Sequence, residues 1–173
     1  MTGGFIERLV AAEIGATFNF YRSGARAALL RERLERYLDE RERARTLVVA
    51  EAPGYRGTRV SGIPLTSERQ LTGEGPAEAT ATIVHRVLAE LGVADEVLLW
   101  NTVPTHPGGE QTNRRPTRAE VAAGLPFARE LARGRRVVAV GRVAHAAFGG
   151  EYVRHPSHGG AAAFRHGLEQ LVS

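Results

Sequence analysis

The chain has 173 residues, 43% of them hydrophobic, and a formal net charge of +4, which suits one ordinary domain with a real core and mildly favours an anionic partner. It contains no cysteine, which excludes disulfides, thiolate nucleophiles and cysteine-ligated zinc or iron–sulfur clusters. No apolar run approaches the ~20 residues of a membrane span, and the opening MTGGFIERLV carries a glutamate and no signal-peptide cleavage pattern, so a cytoplasmic protein without a membrane partner is expected.

In chain order, residues 1–45 are expected to form N-terminal helices. In ALLRERLERYLDERERAR, Leu30, Leu34, Tyr37 and Leu38 share one face at helical spacing and the charges take the other. TLVVA is a buried strand that feeds the turn-rich EAPGYRGTRVSGIPLTSE. A helix is predicted over about 77–91, then a second buried strand, EVLLW, ending at Asn101 and the loop TVPTHPGGEQTNRRP. Thr117 with Glu120 three residues on forms a capping box for a helix over about 117–131. RRVVAV is a third strand, GRVAHAAFG a short helix, YVRH a fourth strand, and a last helix runs over about 161–171.

Strands alternating with helices imply right-handed crossovers and a short parallel sheet between two helix layers, a three-layer α/β/α sandwich read here as one domain, 1–173, with the N-terminal helices packed on it. In such sheets the working loops follow the carboxyl ends of the strands. The polar turns after Ala50, Trp100 and Val153 are therefore expected to lie side by side and form one cleft.

Each turn carries candidate chemistry. In AEAPGYRG, Pro53, Gly54 and Gly57 shape a turn that can present backbone N–H groups, with Glu51 as an acid and Tyr55 as a ring; an ordinary turn with a surface glutamate is an equal reading. No dinucleotide or P-loop pattern is present. Asn101 offers a donor and an acceptor, as reading a pyrimidine edge requires, although a loop-capping role serves alone. His155, between Arg154 and Pro156, can donate to an oxygen gaining negative charge, and Ser157 with the following N–H groups can hold a phosphate. His155 and His158 lack a third ligand for a metal, and His106 reads as a loop residue. All 23 basic residues are arginine, a choice that codon bias explains, though guanidinium forks also suit phosphate.

Taken together, EAPGYRGTRVSGIPLTSE, LLWNTVPTHPGGEQTNRRPT, VVAVGRVA and RHPSHGG resemble, in this order and at similar spacing, the motifs of the uracil-DNA glycosylase superfamily, closest to its bacterial branch with an EAPG first motif. The resemblance spans roughly Leu47 to Leu168. It implies a monofunctional hydrolase that flips uracil or a related deaminated base out of DNA and cuts its N-glycosidic bond, working without a cofactor, as a monomer, on the DNA of the nucleoid.

By that resemblance Glu51, Asn101 and His155 carry catalysis, and Ala52, Pro53, Gly54, Tyr55 and Leu65 bind the base with Asn101 and His155. Arg56, Ser67, Arg114, Arg115, Ser157, His158, Gly159 and Gly160 contact DNA, with His158 as the wedge that replaces the flipped base. Some branches carry an acid or amide where this chain has Ala52, an aromatic where it has Gly54, and a phenylalanine where it has Leu65. Those departures leave room for two rivals: a DNA-binding module without turnover, and a hydrolase of free nucleosides or nucleotides.

Overall fold

The computed structural model describes residues 2–172; Met1 and Ser173, the ends of the expected domain, lie outside the described residues. Strand alternation builds its three layers. In β1 (Thr46–Ala50), Leu47 and Val49 face one apolar cluster while Val48 and Ala50 face another, as a period of two requires. Both faces of the sheet are thus buried, which is why these strands read as unbroken apolar runs rather than alternating ones.

All four strands are parallel, in the order β2-β1-β3-β4, with β2 at Val97–Asn101, β3 at Arg136–Val140 and β4 at Glu151–Val153. Ala50 pairs with Asn101, and Val140 with Val153, so these strands end together along one edge. β3 stands between β1 and β4. The turns after Ala50 and Val153, expected from the sequence to lie side by side, are therefore not neighbours, because the turn after Val140 separates them.

One helix layer joins α1 (Thr2–Ala11), α2 (Ala27–Glu40), α6 (Arg118–Ala132) and α7 (Arg142–Phe148) around Leu47, Val49, Leu98 and Trp100. The opposite layer joins α5 (Ala79–Glu90) and α8 (Ala161–Val172) around Val48, Ala50, Leu99, Val138 and Val153. The predicted capping box of α6 is present, with Thr117 Oγ1 accepting from Glu120 N. Two short helices, α3 (Thr58–Ser61) and α4 (Glu68–Thr72), fold within the long loop after β1 and have too few apolar positions to show as a period.

The expected N-terminal helices are present but divided. Residues 12–26 form a loop instead of continuing α1, with Gly15 and Gly24 at positive φ. Asn19 and Arg22 reach back to the carbonyls of Leu9, Val10, Ala11 and Ala12, satisfying the groups that a helix end leaves without partners.

Candidate active site

At the carboxyl edge of the sheet the loops enclose an open cleft of about 740 Å³. Glu51, Ala52, Pro53 and Gly54 enter from the turn after β1, Pro107 and Asn113 to Arg115 from the loop after β2, and Val140 to Val143 from the turn after β3. Tyr152, Arg154, His155, Ser157 and His158 come from β4 and its turn, and Glu78 and Thr80 from the start of α5. A volume of this size takes a nucleotide-sized ligand.

The RHPSHGG turn fixes the state of His155. The Ser157 backbone N–H donates to His155 Nδ1 at 3.2 Å, and Ser157 Oγ lies 2.7 Å from the same nitrogen. Because a backbone N–H can only donate, Nδ1 must accept, and the neutral ring then carries its proton on Nε2. Burial, and after it the nearby His158, hold the imidazole below its ordinary 6.5. His155 is thus a neutral N–H donor at physiological pH. Its Cβ lies 3.4 Å from where a Cβ on Gly141 would stand. Gly141, at φ 84, lets the turn after β3 pass beneath the ring.

Two carboxyl groups share the cleft. Burial pushes Glu51 above its ordinary range, and Arg115 draws it part of the way back. Glu78 is pushed up by burial alone, and its Oε2 is buried with no hydrogen-bond partner. Against them the walls carry Arg114, Arg115, Arg142 and Arg154. Arg114 is committed, since its two terminal nitrogens hold the buried Glu120 carboxylate at 2.8 and 2.7 Å. Arg115, Arg142 and Arg154 have no ion pair at contact distance among the described residues, Arg154 donating to His158 O at 3.4 Å, and guanidinium groups so placed suit an anion.

Several sequence-expected residues sit elsewhere. Asn101 is 2% exposed and is not among the residues lining the cleft; alternation turns it to the face of Ala50 and α5, and its Oδ1 is buried without a partner. Leu65, at φ 52, is buried in the apolar cluster with Val48, Ala50 and Val84 and not on the cleft wall, so it supplies core packing where base stacking is expected. Ser67 is fully buried; its Oγ accepts from Glu78 N at 2.8 Å and caps α4, which leaves no hydroxyl for a phosphate. The Tyr55 N–H, expected to complete the pocket, is bound to Asn113 Oδ1 at 2.9 Å. Arg56 is exposed and stacks 5.5 Å above the Tyr55 ring, outside the cleft wall. Gly159 is exposed at φ 75, and Gly160 is buried where a Cβ would strike the carbonyl of His155. The tightness of the turn therefore depends on Gly160.

Other residues of the site escape sequence reasoning. His106 is fully buried, with Nδ1 2.7 Å from Pro53 O and Nε2 3.0 and 3.1 Å from Gly109 O and Thr112 O. It is the peg that fastens the first motif to the loop after β2. Glu78, Asn113 and Arg142 carry no local signal, because what each touches is distant in sequence. Among the described residues no group of three His, Asp or Glu converges as a metal would require, and no helix is long and apolar enough to cross a membrane.

A parallel α/β/α sandwich thus opens at its strand ends into a cleft lined by an imidazole held with Nδ1 accepting, a carboxyl pushed up by burial and several guanidinium groups. Residues 38–170 match the Uracil DNA glycosylase superfamily. The chain belongs to that superfamily, whose members act on DNA. In structure it is similar to SMUG2 of Pedobacter heparinus, with a TM-score of 0.66 over 96% of each chain at 13% identity, a likeness of fold. No curated protein sequence matches the chain.

Proposed function

We propose that the protein removes uracil, or a related deaminated base, from DNA by hydrolysing the N-glycosidic bond and leaving an abasic site. The observation that carries this reading is His155 in the cleft lining with its Nδ1 taken by the Ser157 N–H, which leaves the proton of the neutral ring on Nε2. When the bond from the sugar to the base breaks, both electrons leave with the base and negative charge gathers on its O2. A donor fixed in advance at that oxygen lowers the barrier most, because nothing has to reorganise as charge develops.

The sugar passes through an oxocarbenium-like state that water then attacks. Glu51, the half-buried carboxyl next to the sheet edge, orients that water and takes its proton. Asn101, buried with an unpartnered oxygen, meets the N3–H of a base driven fully into the pocket. Ser157, Gly159 and Gly160 pinch the backbone, His158 enters the gap in the stack, and Arg115, Arg142 and Arg154 hold phosphates. Phosphate contacts set position without reading sequence.

The test incubates the protein with oligonucleotides bearing uracil, hypoxanthine or mismatched thymine and cleaves abasic sites with alkali. The parent opens the uracil strand, and His155→Ala, Asn101→Ala and Glu51→Ala each slow it. Uracil DNA that is bound but never opened defines instead a binding module, and equal rates in all variants overturn the site.

A further inference from the structure

Gly54 and Gly57 leave a hollow beside the first motif, and a side chain from another element fills it. A Cβ built on Gly54 would stand 2.7 Å from Glu78 Cδ, and one on Gly57 would stand 3.1 Å from the same atom. Position 54 is thus glycine because the Glu78 carboxyl already occupies the space a side chain there would take. Glu78 is the residue just before α5, and its N–H is pinned by Ser67 Oγ. Its chain trace is therefore held while the carboxyl projects into the cleft.

Burial is the one influence on that carboxyl, with no charged neighbour acting on it, and its Oε2 is buried without a hydrogen bond. An unmade hydrogen bond on a buried oxygen is costly, so a group of this kind points to a ligand that completes it. Asn101 Oδ1 has the same deficit on the same face of the sheet. Glu78 comes from the start of α5 and Asn101 from the end of β2, in register with Ala50.

We infer that Glu78 is a specificity-determining residue of the base pocket, forming the wall that Gly54 and Gly57 leave open and limiting the size of the ring that can enter. The inference rests on the glycosylase reading of the cleft. Burial, which pushes the carboxyl up, supports a neutral acid that offers a donor and an acceptor to a neutral base edge.

The experiment measures affinity for DNA carrying 2′-fluoro-2′-deoxyuridine, 2′-fluorothymidine or 2′-fluoro-2′-deoxyinosine, whose glycosidic bonds resist cleavage. Glu78→Ala empties the hollow, and the preference for uracil over the bulkier thymine or hypoxanthine falls at least tenfold. Glu78→Gln, of the same shape, keeps the preference within threefold of the parent. Glu78→Ser retains an oxygen able to cap α5 and reports the same loss if the alanine variant does not fold. A smaller change in both short variants, or an equal collapse in Glu78→Gln, overturns the inference. A parent that binds the three strands equally but better than undamaged DNA also overturns the inference, whereas one that binds them no better than undamaged DNA overturns the glycosylase reading, which separates the two failures.

Discussion

The backbone N–H of Ser157 meets Nδ1 of His155 at 3.2 Å, two residues back along the same turn. Local geometry thereby chooses the tautomer of the ring. Replacing His155 with alanine removes the preorganised donor and is expected to slow single-turnover excision by about 10²–10³. Ser157→Ala deletes only the hydroxyl and keeps the N–H, so a loss within about tenfold is expected. Equal losses in the two variants would show that the hydroxyl, and not the fixed ring, does the chemistry.

The same geometry sets the pH profile. His155 acts neutral and its pKa is lowered, so it stays active as pH falls through 6.5 and charges only below that. Once charged, Nδ1–H opposes the Ser157 N–H, two donors face to face. Glu51 acts ionised and its pKa is raised, so its contribution fades at a pH above its ordinary 4.5. The acid limb of the single-turnover rate is expected to be centred above the ordinary carboxylate value of 4.5. A rate that stays level down to pH 4.5 would contradict this.

Glu120 ties three segments together, accepting from Arg114, from Thr117 N at 2.8 Å and from Ala16 N at 3.2 Å. Hydrogen bonds from the Arg114 guanidinium foremost lower its pKa to about 2. With the folded value below the unfolded one, the contribution is present in full above about 4.5 and drains away as pH falls toward 2. Glu120→Ala strands Arg114 and two N–H groups and is expected to cost about 3 kcal/mol in urea denaturation at pH 7. Unchanged stability between parent and variant would refute the tie.

Arginines of one cleft wall should separate by task. Arg115 lines the cleft and acts on the Glu51 carboxyl only through its field, with no ion pair at contact distance among the described residues, whereas Arg114 is committed to Glu120. Arg115→Ala is expected to reduce the slope of log affinity against log salt by about 1 and to leave thermal stability alone. Arg114→Ala is expected to lower the melting temperature first. Anisotropy titrations at several salt concentrations beside a melting curve decide it, and reversed behaviour would reassign the two residues.

Much of the fold was legible because its causes are local. TLVVA, EVLLW and RRVVAV each concentrate β-branched and apolar residues, and Thr117 with Glu120 announces a helix start within four positions. The site was legible only in part. His155 and Glu51 follow strands and could be placed at the sheet edge from sequence, whereas Leu65 turned into the core and Ser67 became a helix cap. Both depend on how the long loop after β1 folds, and its short helices carry no period to read.

Amino-acid order alone determined the parallel α/β class, the edge on which the cleft opens and the motifs of the superfamily, since periodicity, capping and turn residues act over a few neighbours. Tertiary structure decided the rest: that β3 separates the first motif from the last, that His106 pegs Pro53, and that the Glu78 carboxyl stands where Gly54 leaves space. Such contacts join residues dozens of positions apart, and packing sets them only once the sheet has brought its strand ends together.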